Sequence, residues 1–163
     1  MTTAAVAENG HAGAGEATSI TATDPFAGTR FVTRGRTVTE ADVAAFCALT
    51  GDWHPQHSDA EWAKTSLFSE RIAHGLLVMS FAVGLVPIDY DHVVALRRIE
   101  GVLSRAVKLG DTIHVEGRAV KSKPLEDGFA MVSCVWRILN QDRKVVARAH
   151  LDIVWRGEEP VVS

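Results

Sequence analysis

Residues 75–86 read Gly-Leu-Leu-Val-Met-Ser-Phe-Ala-Val-Gly-Leu-Val, and Pro87 follows. The stretch carries no charge and a single hydroxyl. A surface helix needs a polar face, so a helix apolar nearly all round must be enclosed by other structure. What encloses it comes next in the chain. Residues 93–96, 102–107, 112–121, 128–139 and 144–155 are β-rich, and 112–120 and 131–138 alternate clearly between apolar and polar. Turn signals separate them: Leu109-Gly110-Asp111, Pro124 with Asp127-Gly128, and Asn140-Gln141-Asp142. No helical crossover lies between these strands, so they form an antiparallel meander. The expected architecture is α+β, a single domain with an antiparallel curved sheet wrapped around a buried central helix.

Upstream of that helix, residues 30–37 form a first strand or an extended lead-in. Thr39 with Asp42 makes a capping-box-like helix start, Asp replacing the usual Glu. Val43, Phe46, Cys47 and Thr50 share one helical face, and Gly51 stops the helix. Pro55 and its polar neighbours make 52–59 a loop. Residues 59–66 read as a short helix with Trp62 packed inward, and 67–72 as irregular.

Composition narrows the function. The chain has 163 residues, 47% hydrophobic and 23% charged, with a net charge of −3 and a pI near 6.1. That is ordinary for one soluble domain and lacks the basic face of a nucleic-acid binder. The longest mainly apolar stretch, 75–90, is shorter than the roughly 20 residues of a membrane span. Cys47 and Cys134 sit in apolar patterns and read as buried free thiols, although count alone leaves a disulfide open. Residues 1–24, rich in Ala, Gly and Thr, lack a basic start and a continuous apolar run. They are expected to be a disordered tail rather than a secretory signal. The domain is expected to cover 25–158, with a C-terminal tail at 159–163, and the protein to be cytoplasmic.

The chemistry concentrates in Thr50-Gly51-Asp52-Trp53-His54-Pro55-Gln56-His57-Ser58-Asp59 and in Ile72-Ala73-His74-Gly75. Asp52 and His57 would not share a helix face, but a loop lets both point at one water, His as base and Asp as orienter. Gly75 stands where the helix begins. Its N–H is placed to hold a developing negative charge, helped by the helix dipole. The plainer reading makes Asp52 a cap and His57 a satisfied surface histidine. His54 and His57 also make an H-x-x-H with Asp52, Asp59 and His74 near. Pro55 argues against the helical spacing a zinc site uses, and no metal is expected.

These motifs, with Phe68 between them, resemble the MaoC-like hydratase/dehydratases, the R-specific enoyl-thioester hydratases of the hot-dog fold. The resemblance covers roughly residues 35–156. It implies that Asp52 and His57 are the catalytic pair, activating a water for syn addition across the C2–C3 double bond or removing it in reverse. It implies that Gly75 donates to the thioester oxygen. His74 and Ser80 match positions near the start of the central helix, and Val78, Met79, Phe81 and Val83 include candidate tunnel-lining residues. His54, His74, Ser80 and Val83 are therefore expected to meet substrate. The family usually has Asn where this chain has His54, which adds a titratable group two residues from Asp52. The resemblance further implies a homodimer or higher oligomer with sheets joined edge to edge. No bound cofactor is expected, the acyl group riding on coenzyme A or on the phosphopantetheine of an acyl carrier protein. For an acidic carrier, Arg97-Arg98 with Arg105 and Lys108 is the patch the sequence offers. Three other readings stand beside hydration: thioester hydrolysis, conjugate addition of an amine, and a non-catalytic subunit of a heterodimeric dehydratase. Hot-dog thioesterases usually carry Glu or Asp on the central helix, and 75–86 has neither.

Overall fold

The computed structural model describes residues 30–87, 89 and 91–157, so both expected tails lie outside the described residues. Its elements are β1 (Arg30–Val32), β2 (Arg36–Thr37), α1 (Glu40–Thr50), α2 (Pro55–Ser58), α3 (Ala60–Lys64), α4 (Gly75–Leu85), β3 (Val93–Leu103), β4 (Thr112–Pro124), β5 (Phe129–Leu139) and β6 (Val145–Arg156). The strands form one antiparallel sheet in the order β1-β4-β5-β6-β3, with β2 also paired to β4.

Period-two alternation builds the core. Ile113 and Val115 on β4, Val132, Trp136 and Ile138 on β5, and Ala147, Ala149 and Leu151 on β6 are all buried. Onto this face α4 presses Leu77, Val78, Met79 and Ala82. Burying each of the large ones contributes about 1.5–3 kcal/mol. The helix is therefore enclosed on the sheet side as its composition requires. Its other face is bare, since Leu76 is 71% exposed and Ser80 and Gly84 are exposed too.

α1 begins with the expected capping box: Asp42 N–H donates to Thr39 Oγ1 and Thr39 N–H donates to Asp42. It ends at Gly51, which at φ 77° takes the left-handed conformation that glycine allows without cost.

Four local expectations are corrected. The segments 93–96 and 102–107 are not two strands. β3 runs unbroken to Leu103 along β6, absorbing two register shifts, and Ser104 then turns away with its N–H on Val146 O. The lead-in at 30–37 divides into β1 and β2. The loop at 52–59 contains the helical turn α2, because Pro55 stands at its N1 position, where the missing N–H costs nothing. Trp62 does not pack inward. It is 42% exposed, its ring perpendicular to that of His54 with centroids 5.4 Å apart.

Candidate active site

Three short segments meet at the N-terminal end of α4. The first is the turn after α1. Asp52 N–H donates to Thr50 Oγ1, and Asp52 Oδ1 accepts from His54 N–H at 3.3 Å. These bonds fold the chain back and leave the Asp52 carboxylate half-open to solvent.

The second segment is α2, which carries His57. His54 is its N-cap, with Nδ1 accepting the Gln56 N–H at 3.1 Å. Gln56 is buried and ties the turn to the third segment, its Nε2 donating to Glu70 O and its own carbonyl accepting from Ile72 N–H. That third segment, 70–73, is fixed in turn by the Arg71–Glu40 and Lys108–Glu70 ion pairs and by Ala73 N–H on Val107 O.

The His57 tautomer follows from its partner. Nδ1 lies 2.7 Å from Ile72 O, and a carbonyl only accepts, so Nδ1 carries the hydrogen and Nε2 keeps a lone pair. Burial holds the imidazole below its ordinary value of 6.5, and the neighbouring His74 adds to the depression. His57 is thus a neutral base at neutral pH. It lies beside the Asp52 carboxylate, one ligand atom each of Asp52, His57 and His74 falling within 4.8 Å of the others.

His74 joins these pieces. It is buried, and its Nε2–H donates to Asp52 O at 3.0 Å. Its ring stacks on His57 with centroids 3.7 Å apart and planes at 26°. Phe46 packs against it at 52°, centroids 4.9 Å apart, and Cys47 Sγ is 3.8 Å from Nε2. The position has a second consequence. His74 is the N-cap of α4, yet its side chain makes no capping bond because it is turned toward Asp52. The first N–H groups of α4 therefore keep no side-chain partner at the end of the helix that carries about half a positive charge. Gly75 contributes the first of them. A Cβ at this position would lie 2.1 Å from Leu103 Cδ1, so glycine permits β3 to approach the helix start.

In this cluster His57 commits Nδ1 to Ile72 O and His74 commits Nε2 to Asp52 O, so each ring has given one nitrogen to a backbone carbonyl. His54 does not join, because its Nδ1 caps α2.

The remaining expected site residues are placed as follows. Ser80 is exposed, and its hydroxyl donates to Leu76 O within its own helix. Val83 is half-buried against the core and Val78 and Met79 are inside it, while Phe81 lies under the Arg36 guanidinium at 4.4 Å. Reading the sequence placed Ile72 in a site motif without the role of its carbonyl, and did not find Phe46 or Cys47 at the site. The α1 face holding Phe46 and Cys47 was a usable signal. A backbone carbonyl such as Ile72 O leaves no mark on the sequence.

A family model described as MaoC like domain matches residues 23–135. Protein MaoC of Klebsiella aerogenes is 40% identical over 90 residues, which are 54% of this chain and 27% of that protein. The (R)-specific enoyl-CoA hydratase of Rhodospirillum rubrum is 30% identical over 79 residues, 48% of this chain and 55% of that protein. The chain therefore spans about a quarter and about half of these two relatives. The X-ray structure of a monoamine oxidase regulatory protein from Archaeoglobus fulgidus is 32% identical with a TM-score of 0.77, over 81% of this chain and 91% of that one. The matched span includes both site motifs, the sheet and helix are those of the hot-dog fold, and the chain belongs to the MaoC-like domain family.

Proposed function

We propose that the protein is a hydro-lyase that reversibly hydrates a trans-2-enoyl thioester to the (R)-3-hydroxyacyl thioester. One observation carries the reading: a carboxylate and a neutral imidazole with a free Nε2 stand together beside an uncapped helix N-terminus. A water held between Asp52 and His57 loses a proton to His57 Nε2 as its oxygen bonds to C3. The C2–C3 π electrons shift to the thioester oxygen, where the Gly75 N–H and the dipole of α4 stabilise the enolate. Protonation at C2 on the same face, by the proton carried through His57 and Asp52, completes syn addition. Ile72 O holds His57 in the productive tautomer throughout. The thioester bond is untouched, so coenzyme A or phosphopantetheine serves as handle, and no other cofactor enters.

The catalytic groups all lie in one chain, but enclosure of the acyl chain does not. Grooves of about 370 and 250 Å³ both lie away from Asp52, His57 and Gly75. Beside Gly75, the edge strand β3 exposes Val94, Leu96, Ile99, Val102 and Leu103, with Leu76 of α4 bare nearby. A long apolar edge of this kind invites strand pairing. A homodimer joined through β3 would cover it and close the acyl tunnel.

The test is incubation with trans-2-enoyl-CoAs of increasing length, followed by chiral analysis of the product and a thiol assay. An (R)-3-hydroxyacyl-CoA with no free thiol supports hydration. Release of free CoA would replace it with thioester hydrolysis.

A further inference from the structure

The back of the sheet, away from α4, holds the groove of about 370 Å³, and four arginines line it: Arg30, Arg118, Arg137 and Arg148. Strand alternation puts these side chains opposite the inward-facing Val115, Trp136 and Ala149. The register makes the charge arrangement costly. Arg30 stands directly across from Arg118, and Arg137 directly across from Arg148. Like charges in such positions destabilise a sheet. Glu116, the acid in the groove, is shared between Arg137 at 3.3 Å and Arg143 at 2.8 Å. Among the described residues no carboxylate pairs with Arg30, Arg118 or Arg148. The chain as a whole has a net charge of −3, so these arginines are gathered rather than the overflow of a basic composition. The basic patch that the sequence offers is, by contrast, largely occupied. Arg98 pairs with Glu100 and Asp152, Lys108 with Glu70, and Arg105 donates to Val145 O.

We propose that this groove docks an acidic helix of a partner protein. The spacing selects that occupant. The four arginines sit on four adjacent strands as two directly paired couples, Arg30–Arg118 and Arg137–Arg148, about 4.8 Å apart within a couple and offset from each other by two residues along the strands. Carboxylates three or four residues apart on a helix lie about 5–6 Å from one another, which matches the strand spacing within each couple, and a helix lying obliquely across the strands reaches both couples. A single phosphate group meets two guanidiniums and leaves the rest unpaired. A second copy, placed face to face by two-fold symmetry, would set the same arginines against each other. The surface lies outside the residues assigned to catalysis, and the proposal does not depend on which reaction they perform.

Fluorescence anisotropy of a labelled, glutamate-rich helical peptide with the full chain at low salt tests this. Binding is expected to weaken steeply as salt rises and to be at least about tenfold weaker for Arg118→Ser/Arg148→Ser. The Arg97→Ser control, outside the groove, binds as wild type does, and thermal melts confirm that each variant is folded. Arg30→Ser alone gives an intermediate loss. No binding to wild type, or equal binding to the double variant, overturns the proposal. So does displacement of the peptide by pyrophosphate at lower concentration than by unlabelled peptide, which would assign the groove to a phosphate ligand. A change in oligomeric state on Arg118→Ser/Arg148→Ser would assign it instead to contacts between copies.

Discussion

The polar cluster at the start of α4 and the bare edge strand β3 lie side by side and are built on opposite plans. In the cluster hydrogen bonds fix each side chain's orientation, His57 to Ile72, His74 to Asp52, His54 to Gln56, and Gln56 to Glu70, while His74 Nδ1 is buried without a partner. Along β3 one edge of backbone has no partner strand among the described residues, and Ile99, Val102 and Leu103 face solvent at 45%, 63% and 55% exposure. The first region is held together within one chain, and the second presents an open edge that the proposed dimer would cover. The difference separates two requirements of the reaction. Proton transfer needs fixed geometry, which local hydrogen bonds supply. Binding an acyl chain needs an apolar enclosure, which an isolated sheet and helix leave open.

The comparison breaks first at Asp52. Asp52→Asn keeps the size of the side chain and removes the carboxylate. It should lower kcat by about 10²–10⁴-fold while the melting temperature stays within a few degrees. His74→Ala removes the ring stacked on His57 and the bond to Asp52 O. Misplacement of this kind costs about 10²-fold, expected in kcat more than in KM and accompanied by lower stability. On the other side, Ile99→Lys/Val102→Lys should convert the protein to monomer in sedimentation and raise KM for long-chain substrates more than for short ones. A variant that stays dimeric with unchanged KM would remove β3 from the interface.

Smaller effects sharpen the account of the cluster. His54→Ala loses the cap of α2, worth about 1 kcal/mol, whereas His54→Asn retains an acceptor and should keep most activity. The smallest test is the pH profile. Burial lowers the pKa of His57, so the free-base form persists below 6.5, and the acid limb of kcat/KM should fall below that pH. The same shift has a stability sign. Between the depressed folded value and the ordinary 6.5, the unfolded chain binds a proton that the folded chain does not. Stability contributed by His57 is therefore present above 6.5 and is lost as pH falls through that window, an effect that titration of wild type against His57→Gln would measure.

How far the sequence could be read depends on where each decision is made. Residues 75–86 announced a buried helix because no polar face exists to place outside. The Thr39–Asp42 box and Gly51 bounded α1 because capping is a local affair. Pro55 misled because the same residue breaks a helix interior and begins a helix turn, and only the neighbours Gln56 and Glu70 decide which. Trp62 misled because its burial is set by tertiary contacts, here a perpendicular ring contact with His54. An apolar β3 looked the same in sequence whether its cover came from its own chain or another. At the site, Asp52, His57 and Gly75 were legible as residue types with known chemistry. His74 as the link between them was not, because its partners are a ring face and a backbone carbonyl.

The most direct test follows the loss of enoyl-thioester absorbance with trans-2-enoyl-CoA and carrier-protein substrates, wild type beside Asp52→Asn. The account predicts turnover by wild type and its near-complete loss in the folded variant. Equal turnover by the two would contradict it and remove the Asp52 carboxylate from the chemistry.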